Sequence, residues 1–231
     1  MSGLVSIPTH DQLEFQALSV PAANPDAPGM VLVQEIFGIN SSMRDAAQHW
    51  AAQGYNVICP DLFWRQQPGI VLEPAEPGDF DKALALMNGM DGAAALADLD
   101  SARRWLKSKS GHDRVAVLGY CLGGRLSVEA AMAHAFKCAV SYYGVGLDQV
   151  LSKADSSIAP TLLHIAEKDS FLPELARKEI LARVDKLAPL QAYVYPGCEH
   201  AFARPHGEHF DATAAALAEQ RSLAFMAKHT G

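Results

Sequence analysis

Four residues with chemistry to offer stand at the ends of apolar runs. Glu35 follows Met30–Val33, Cys121 follows Val115–Leu118, Asp169 follows Leu162–Ala166, and His200 precedes a long alanine-rich stretch. A thiol, an imidazole and a carboxylate are the parts of a nucleophile, base and orienter system. Sulfur attacks a carbonyl carbon, the imidazole moves protons, and the carboxylate holds the ring in the useful tautomer. The strongest local signal is Gly119-Tyr120-Cys121-Leu122-Gly123-Gly124, which has the form of a nucleophile elbow. In that device a strained strand-to-helix turn lifts the nucleophile clear of the sheet, and flanking glycines give the backbone room. The N–H of Leu122 would then point from a helix N-terminus at a developing oxyanion.

Each residue taken singly has a plainer reading. Cysteine is among the most often buried residue types, a loop aspartate is commonly a helix cap, and a lone histidine is commonly a satisfied surface group. His164, His206 and His209 compete with His200, and His206-Gly207-Glu208-His209 invites a metal. No third ligand stands at helical spacing, so neither metal nor cofactor is expected.

The elements that must position these residues follow from the pattern of apolar runs. The sequence predicts an antiparallel strand over 13–20, a buried strand over 30–36 that carries Glu35, a helix over 41–53 and a strand over 55–60. Residues 61–79 hold Pro68, Gly69, Pro74, Pro77 and Gly78 and read as a lid or pocket wall. Helices are expected over 80–90 and 92–107, then the elbow, strands over 138–144 and 160–166, a helix over 174–187, a strand over 191–195 and a closing helix over 211–228. Alternating strands and helices imply an α/β fold, a mostly parallel sheet with helices on both faces and its site at the carboxyl ends of strands. The chain order nucleophile, acid, histidine is that of the α/β-hydrolase fold.

The bulk numbers agree with a single domain over residues 1–231. The chain is 49% hydrophobic and carries a net charge of −7 without a basic run, so nucleic acid and membrane are not expected as partners. Cys59, Cys121, Cys138 and Cys198 lie far apart with no CxxC pair, which points to reduced thiols in a cytoplasm. Met1–Pro8 has no leader-like charge and apolar pattern, and no segment reaches membrane-spanning length. A monomer is expected, with a small-molecule substrate as partner, and one or two local arginines would suffice for an anionic one.

The chain resembles the dienelactone hydrolase (carboxymethylenebutenolidase) family. The resemblance is carried by Gln34-Glu35-Ile36-Phe37-Gly38, Cys59-Pro60-Asp61-Leu62, Gly119–Gly124, Tyr142-Tyr143-Gly144-Val145-Gly146 and Gly197–Arg204, in order along nearly the whole chain. It implies a triad of Cys121, Asp169 and His200. It implies also that Glu35 takes the thiol proton when substrate binds, that the N–H groups of Ile36 and Leu122 form the oxyanion hole, and that Arg204 holds a substrate carboxylate. Phe37, Tyr142 and Phe171 match pocket-lining positions, although Tyr142 and Phe171 fit core packing equally well. One departure stands out. Where the family commonly has a second carboxylate-binding arginine this chain has Phe80, with Leu84 and Met87 in place of larger aromatics, and Lys82 as a nearby substitute. The reaction implied is opening of a dienelactone to maleylacetate through a Cys121 thioester. The alternatives are a related esterase or thioesterase with a less anionic or bulkier substrate, and a non-catalytic binder on the same fold.

Overall fold

The computed structural model describes residues 2–231. Its contacts divide into two compact units that meet in sequence at Val115 and Ala116. The first holds β1 (Gly3–Pro8), β2 (Glu14–Val20), β3 (Gly29–Val33), α1 (Ser41–Ala52), β4 (Asn56–Pro60), α2 (Asp79–Asn88) and α3 (Gly92–Ser110). Its strands run in the order β1-β2-β4-β3, with β3 parallel to β4 and the two outer pairings antiparallel. The second holds β5 (Val115–Tyr120), α4 (Leu122–Met132), β6 (Cys138–Tyr142), α5 (Leu147–Leu151), β7 (Thr161–Ala166), α6 (Glu174–Val184), β8 (Leu190–Tyr195) and α7 (Ala212–Thr230). Its strands run β5-β6-β7-β8, all parallel. The fold class is thus the expected α/β, mostly parallel.

The continuous apolar runs become the interior strands. Every residue of β3, β6 and β7 is buried, as strands covered on both faces require. Helix starts follow their caps. Asn40 accepts from Met43 N–H, Asp91 from Ala93 and Ala94, and Asp211 from Ala214. Two elements had no counterpart in the sequence reading. The outer strand β1 has an exposed, weakly patterned face, and α5 is five residues long, too short for a helical period to register.

The strand expected over 30–36 ends at Val33, two residues before Glu35. There the chain leaves the ladder and Gln34 takes over. Its side-chain amide donates to Glu35 O at 3.2 Å and accepts from Leu62 N–H at 3.2 Å. The irregular stretch after β4 is firmly fastened. Asp61 accepts from Phe63 N–H and Gly69 N–H at 3.0 and 2.7 Å, and burial pushes its carboxyl above the usual range. Arg65 pairs with Asp98 and Asp11, and Trp64 donates to Asp98 at 2.8 Å. Gly38 bridges to Val71, and a Cβ there would lie 2.0 Å from Ile70 O, so only glycine fits. These bonds tie the stretch to α3, to the turn after β1 and to the segment after β3.

Candidate active site

The elbow forms as the glycine spacing demands. Cys121 is the N-cap of α4 with φ 55° and ψ −115°, a conformation that costs a side-chain-bearing residue about 1–3 kcal/mol. Its N–H donates to Tyr142 O at 3.0 Å, and its carbonyl accepts from Arg125 N–H at 3.2 Å. The glycines permit this close approach. A Cβ on Gly119 would lie 2.1 Å from Gly123 O, and one on Gly124 would lie 2.8 Å from Tyr142 O and from Ser141 Oγ. Leu122 is the first residue of α4, where helix N–H groups lack intrahelical acceptors. Cys121 is partly exposed, whereas Cys59 and Cys138 are buried, with their thiols pushed up to about 12 by desolvation.

Asp169 and His200 meet directly. His200 Nδ1 and Asp169 Oδ2 are 2.8 Å apart, and the second carboxylate oxygen accepts from Phe171 N–H at 2.9 Å. The aspartate side chain is only 2% exposed and the histidine 12%. A buried carboxylate with both oxygens bonded fixes the imidazole with Nδ1 as donor, leaving Nε2 for chemistry. The loops carrying the pair are tied together. Glu167 N–H donates to Tyr195 O, Lys168 N–H to Cys198 O, and Gly197 N–H to the Glu167 carboxylate. Tyr143 and Phe171 stand edge-on to the imidazole, with centroids 5.0 and 4.8 Å away.

Cys121 and His200 flank the same backbone step. Tyr142 accepts the Cys121 N–H, and the next residue, Tyr143, carries the ring that abuts His200. Tyr143 has φ 39° and donates its own N–H to His164 O at 2.8 Å.

The remaining expected residues are placed as follows. Tyr142 is fully buried, its ring against Tyr120 and His164, so of the two descriptions offered the core one applies. Phe171 is 52% exposed beside His200. Arg204 is partly exposed in the turns after Phe202, its N–H donating to Ala201 O. In the first unit, Glu35 is 4% exposed and Ile36 and Phe37 are buried. Phe80 is 42% exposed, its ring 6.4 Å from that of Phe37. Lys82 is exposed, and Leu84 and Met87 are partly so. His206 and His209 are exposed, and among the described residues no group of three or more His, Cys, Asp or Glu side chains could hold a metal. No helix among them is long and apolar enough to cross a membrane. His164 is buried, and desolvation pushes its pKa down to about 3, so it is a neutral core residue.

Sequence reasoning missed two groups. Gln34 stands inside a motif without a signal of its own, and Ser222 lies hidden in an alanine-rich helix. A small polar residue one turn after buried Ala218 was the available signal.

Comparison with known proteins covers almost the whole chain. The Dienelactone hydrolase family matches residues 15–230. A protein of Azospirillum brasilense is 43% identical over 237 residues, spanning 98% of this chain and 99% of its own. The carboxymethylenebutenolidase of Pseudomonas putida is 37% identical over 224 residues, spanning 96% and 95%. A solved structure from Klebsiella pneumoniae subsp. pneumoniae, described as a "Putative Dienelactone Hydrolase", superposes with a TM-score of 0.86 at 27% identity, covering 99% and 98% of the two chains.

Proposed function

Since the chain belongs to the dienelactone hydrolase family, hydrolases of ester and lactone bonds, we propose that it opens a lactone or enol ester through a thioester on Cys121. The observation that carries this reading is the convergence on one backbone step of the strained Cys121 elbow and the Asp169-oriented His200. The non-catalytic reading of the fold gives way to family membership.

In this mechanism the Cys121 thiolate attacks the carbonyl carbon and the carbonyl electrons move to oxygen. The Leu122 N–H at the start of α4 stabilises that oxyanion, a donor of this kind contributing roughly 10²–10³ in rate. The tetrahedral adduct collapses with departure of the enolate, which leaves the acyl group on sulfur. His200 Nε2 then takes a proton from water as the water attacks the thioester, the second collapse expels the thiolate, and the two protons taken up by the enzyme return to the enolate and to sulfur. Asp169 stays ionised and holds the imidazolium.

Three roles rest on the resemblance to the family. Glu35 accepts the Cys121 proton, Ile36 supplies the second oxyanion donor, and Arg204 binds a substrate carboxylate. Glu35, 4% exposed two residues past the end of β3, is buried where such residues are seldom found, which supports a functional role. A guanidinium suits the task given to Arg204 by its paired donors. The match over residues 15–230 supports reading the chain as one α/β-hydrolase domain. We take it to work as a monomer in the cytoplasm.

The substrate proposed first is dienelactone, giving maleylacetate. A second reading, a less anionic or bulkier ester, is favoured by Phe80, whose exposed ring leans on Phe37 where the family commonly has an arginine. Steady-state assays on cis- and trans-dienelactone test the first reading, with Cys121→Ala and His200→Ala as controls. If neither lactone turns over, or if the variants remain fully active, it is wrong. A panel of neutral esters decides the second: Arg204→Ala is expected to impair anionic substrates and spare neutral ones.

A further inference from the structure

Beneath the elbow, four buried side chains form one hydrogen-bonded chain. Tyr142 Oη lies 2.8 Å from Ser222 Oγ, Ser222 Oγ lies 2.8 Å from His164 Nε2, and His164 Nδ1 lies 2.8 Å from Tyr195 Oη. Ser222 also donates to Ala218 O at 2.9 Å, and the Arg221 guanidinium lies over the Tyr195 ring, 5.4 Å from its centroid. One arrangement of protons satisfies every contact. Ser222 gives its single proton to Ala218 and accepts from both Tyr142 and His164. The imidazole is therefore protonated on Nε2 alone, and its bare Nδ1 accepts from Tyr195. Each phenol thus donates its one proton into the network. No group is left unpaired, as a buried polar network must have it.

The network ends at the backbone on which the site is built. Tyr142 closes β6, and its carbonyl accepts the Cys121 N–H. His164, in β7, accepts the N–H of Tyr143 and so holds that residue at its unusual φ with its ring against His200. Ser222 joins both strands to α7. The sheet ladder already holds β6 to β7, but an apolar core would leave α7 without directional bonds to either strand, because apolar contacts have no direction. We propose that Tyr142, His164 and Ser222 are positioning residues, whose buried hydrogen-bond network fixes the Tyr142–Tyr143 step and through it the relative placement of Cys121 and His200. The inference rests on the hydrolytic reading of that pair, and it predicts an effect on the chemical step, not on substrate binding.

Tyr142→Phe deletes one hydroxyl and keeps the ring, and Ser222→Ala removes the hub. Both are to be assayed on 4-nitrophenyl acetate and cis-dienelactone beside Leu106→Ala, which opens a cavity in α3, in the other unit. Cys121→Ala and His200→Ala serve as site controls. Positioning predicts that kcat falls about 10-fold in Tyr142→Phe and at least as far in Ser222→Ala, with KM within about twofold and circular dichroism unchanged. Leu106→Ala should lower Tm comparably yet keep kcat. If Ser222→Ala does not fold, Tyr142→Phe decides alone. Folded network variants with wild-type kcat, beside inactive Cys121→Ala and His200→Ala, overturn this inference and leave the site intact. Full activity in Cys121→Ala and His200→Ala overturns the site, and the inference with it.

Discussion

The second unit holds the same two side-chain types in two regions. At the carboxyl ends of its strands stand Cys121 and His200, and in its interior lie Cys138 and His164. The interior pair is held neutral by burial, the thiol pushed up to about 12 and the imidazole down to about 3. The outer pair is built differently. Cys121 sits partly exposed at a helix N-terminus, and His200 rests on a buried carboxylate. Residue type therefore says little about reactivity, and what surrounds it decides. Desolvation without a charged partner makes both groups inert, whereas partial exposure with an oriented partner equips them for proton transfer and attack.

The comparison breaks most readily at the cysteines. Cys121→Ala is expected to lower kcat/KM by on the order of 10³-fold or more, while Cys138→Ala keeps kcat within about twofold and loses only stability. Equal losses from both would show that the two regions are not distinct. The next largest effect belongs to the orienter. Asp169→Asn should cost on the order of 10²-fold or more in kcat with KM little changed, because an amide can stabilise the wrong tautomer of His200. A rate unaffected by that change would remove Asp169 from the mechanism.

Titration of the interior histidine sharpens the contrast. The folded pKa of His164 lies near 3, far below the unfolded value of about 6.5. Above pH 6.5 neither state holds the proton and the group is neutral to stability. As pH falls from about 6.5 towards 3 the unfolded chain takes up a proton that the fold refuses, so stability is lost by up to about 1.4 kcal/mol per pH unit. Urea titrations at pH 7, 5.5 and 4.5 should show a steeper acid loss for the parent protein than for His164→Leu. Parallel losses would mean that water reaches the imidazole. The smallest effect expected concerns Phe80. Phe80→Arg should raise kcat/KM for anionic over neutral esters by about 10-fold, and an unchanged ratio would take Phe80 out of substrate selection.

The outer region was far more legible in the sequence than the inner one. The elbow is a local device, so its glycines and its cysteine sit within six residues, and fully apolar strands announce themselves as runs. Asp169 and His200 could be paired because the order of elements in this fold dictates where an acid and a histidine must fall. The inner network has no such shorthand. Tyr142 and Ser222 are 80 positions apart, His164 and Ser222 are 58 apart, and each has an ordinary local role in its strand or helix. The bonds of Asp61, Arg65 and Asp98 within and around residues 61–69 are equally hidden, since the sequence marks that stretch only by its prolines and glycines. The end of β3 at Val33 was misjudged because an apolar run does not show where the chain leaves its ladder.

The proposed reaction turns on acyl transfer to sulfur at Cys121. Rapid acid quench during turnover of cis-dienelactone, followed by peptide mass analysis, tests it most directly. A transient adduct of the mass of the opened acyl group is expected on the peptide holding Cys121, absent from Cys138 and accumulating in His200→Ala, where water is no longer activated. Turnover with no adduct on that peptide, or with an adduct on another residue, would contradict it.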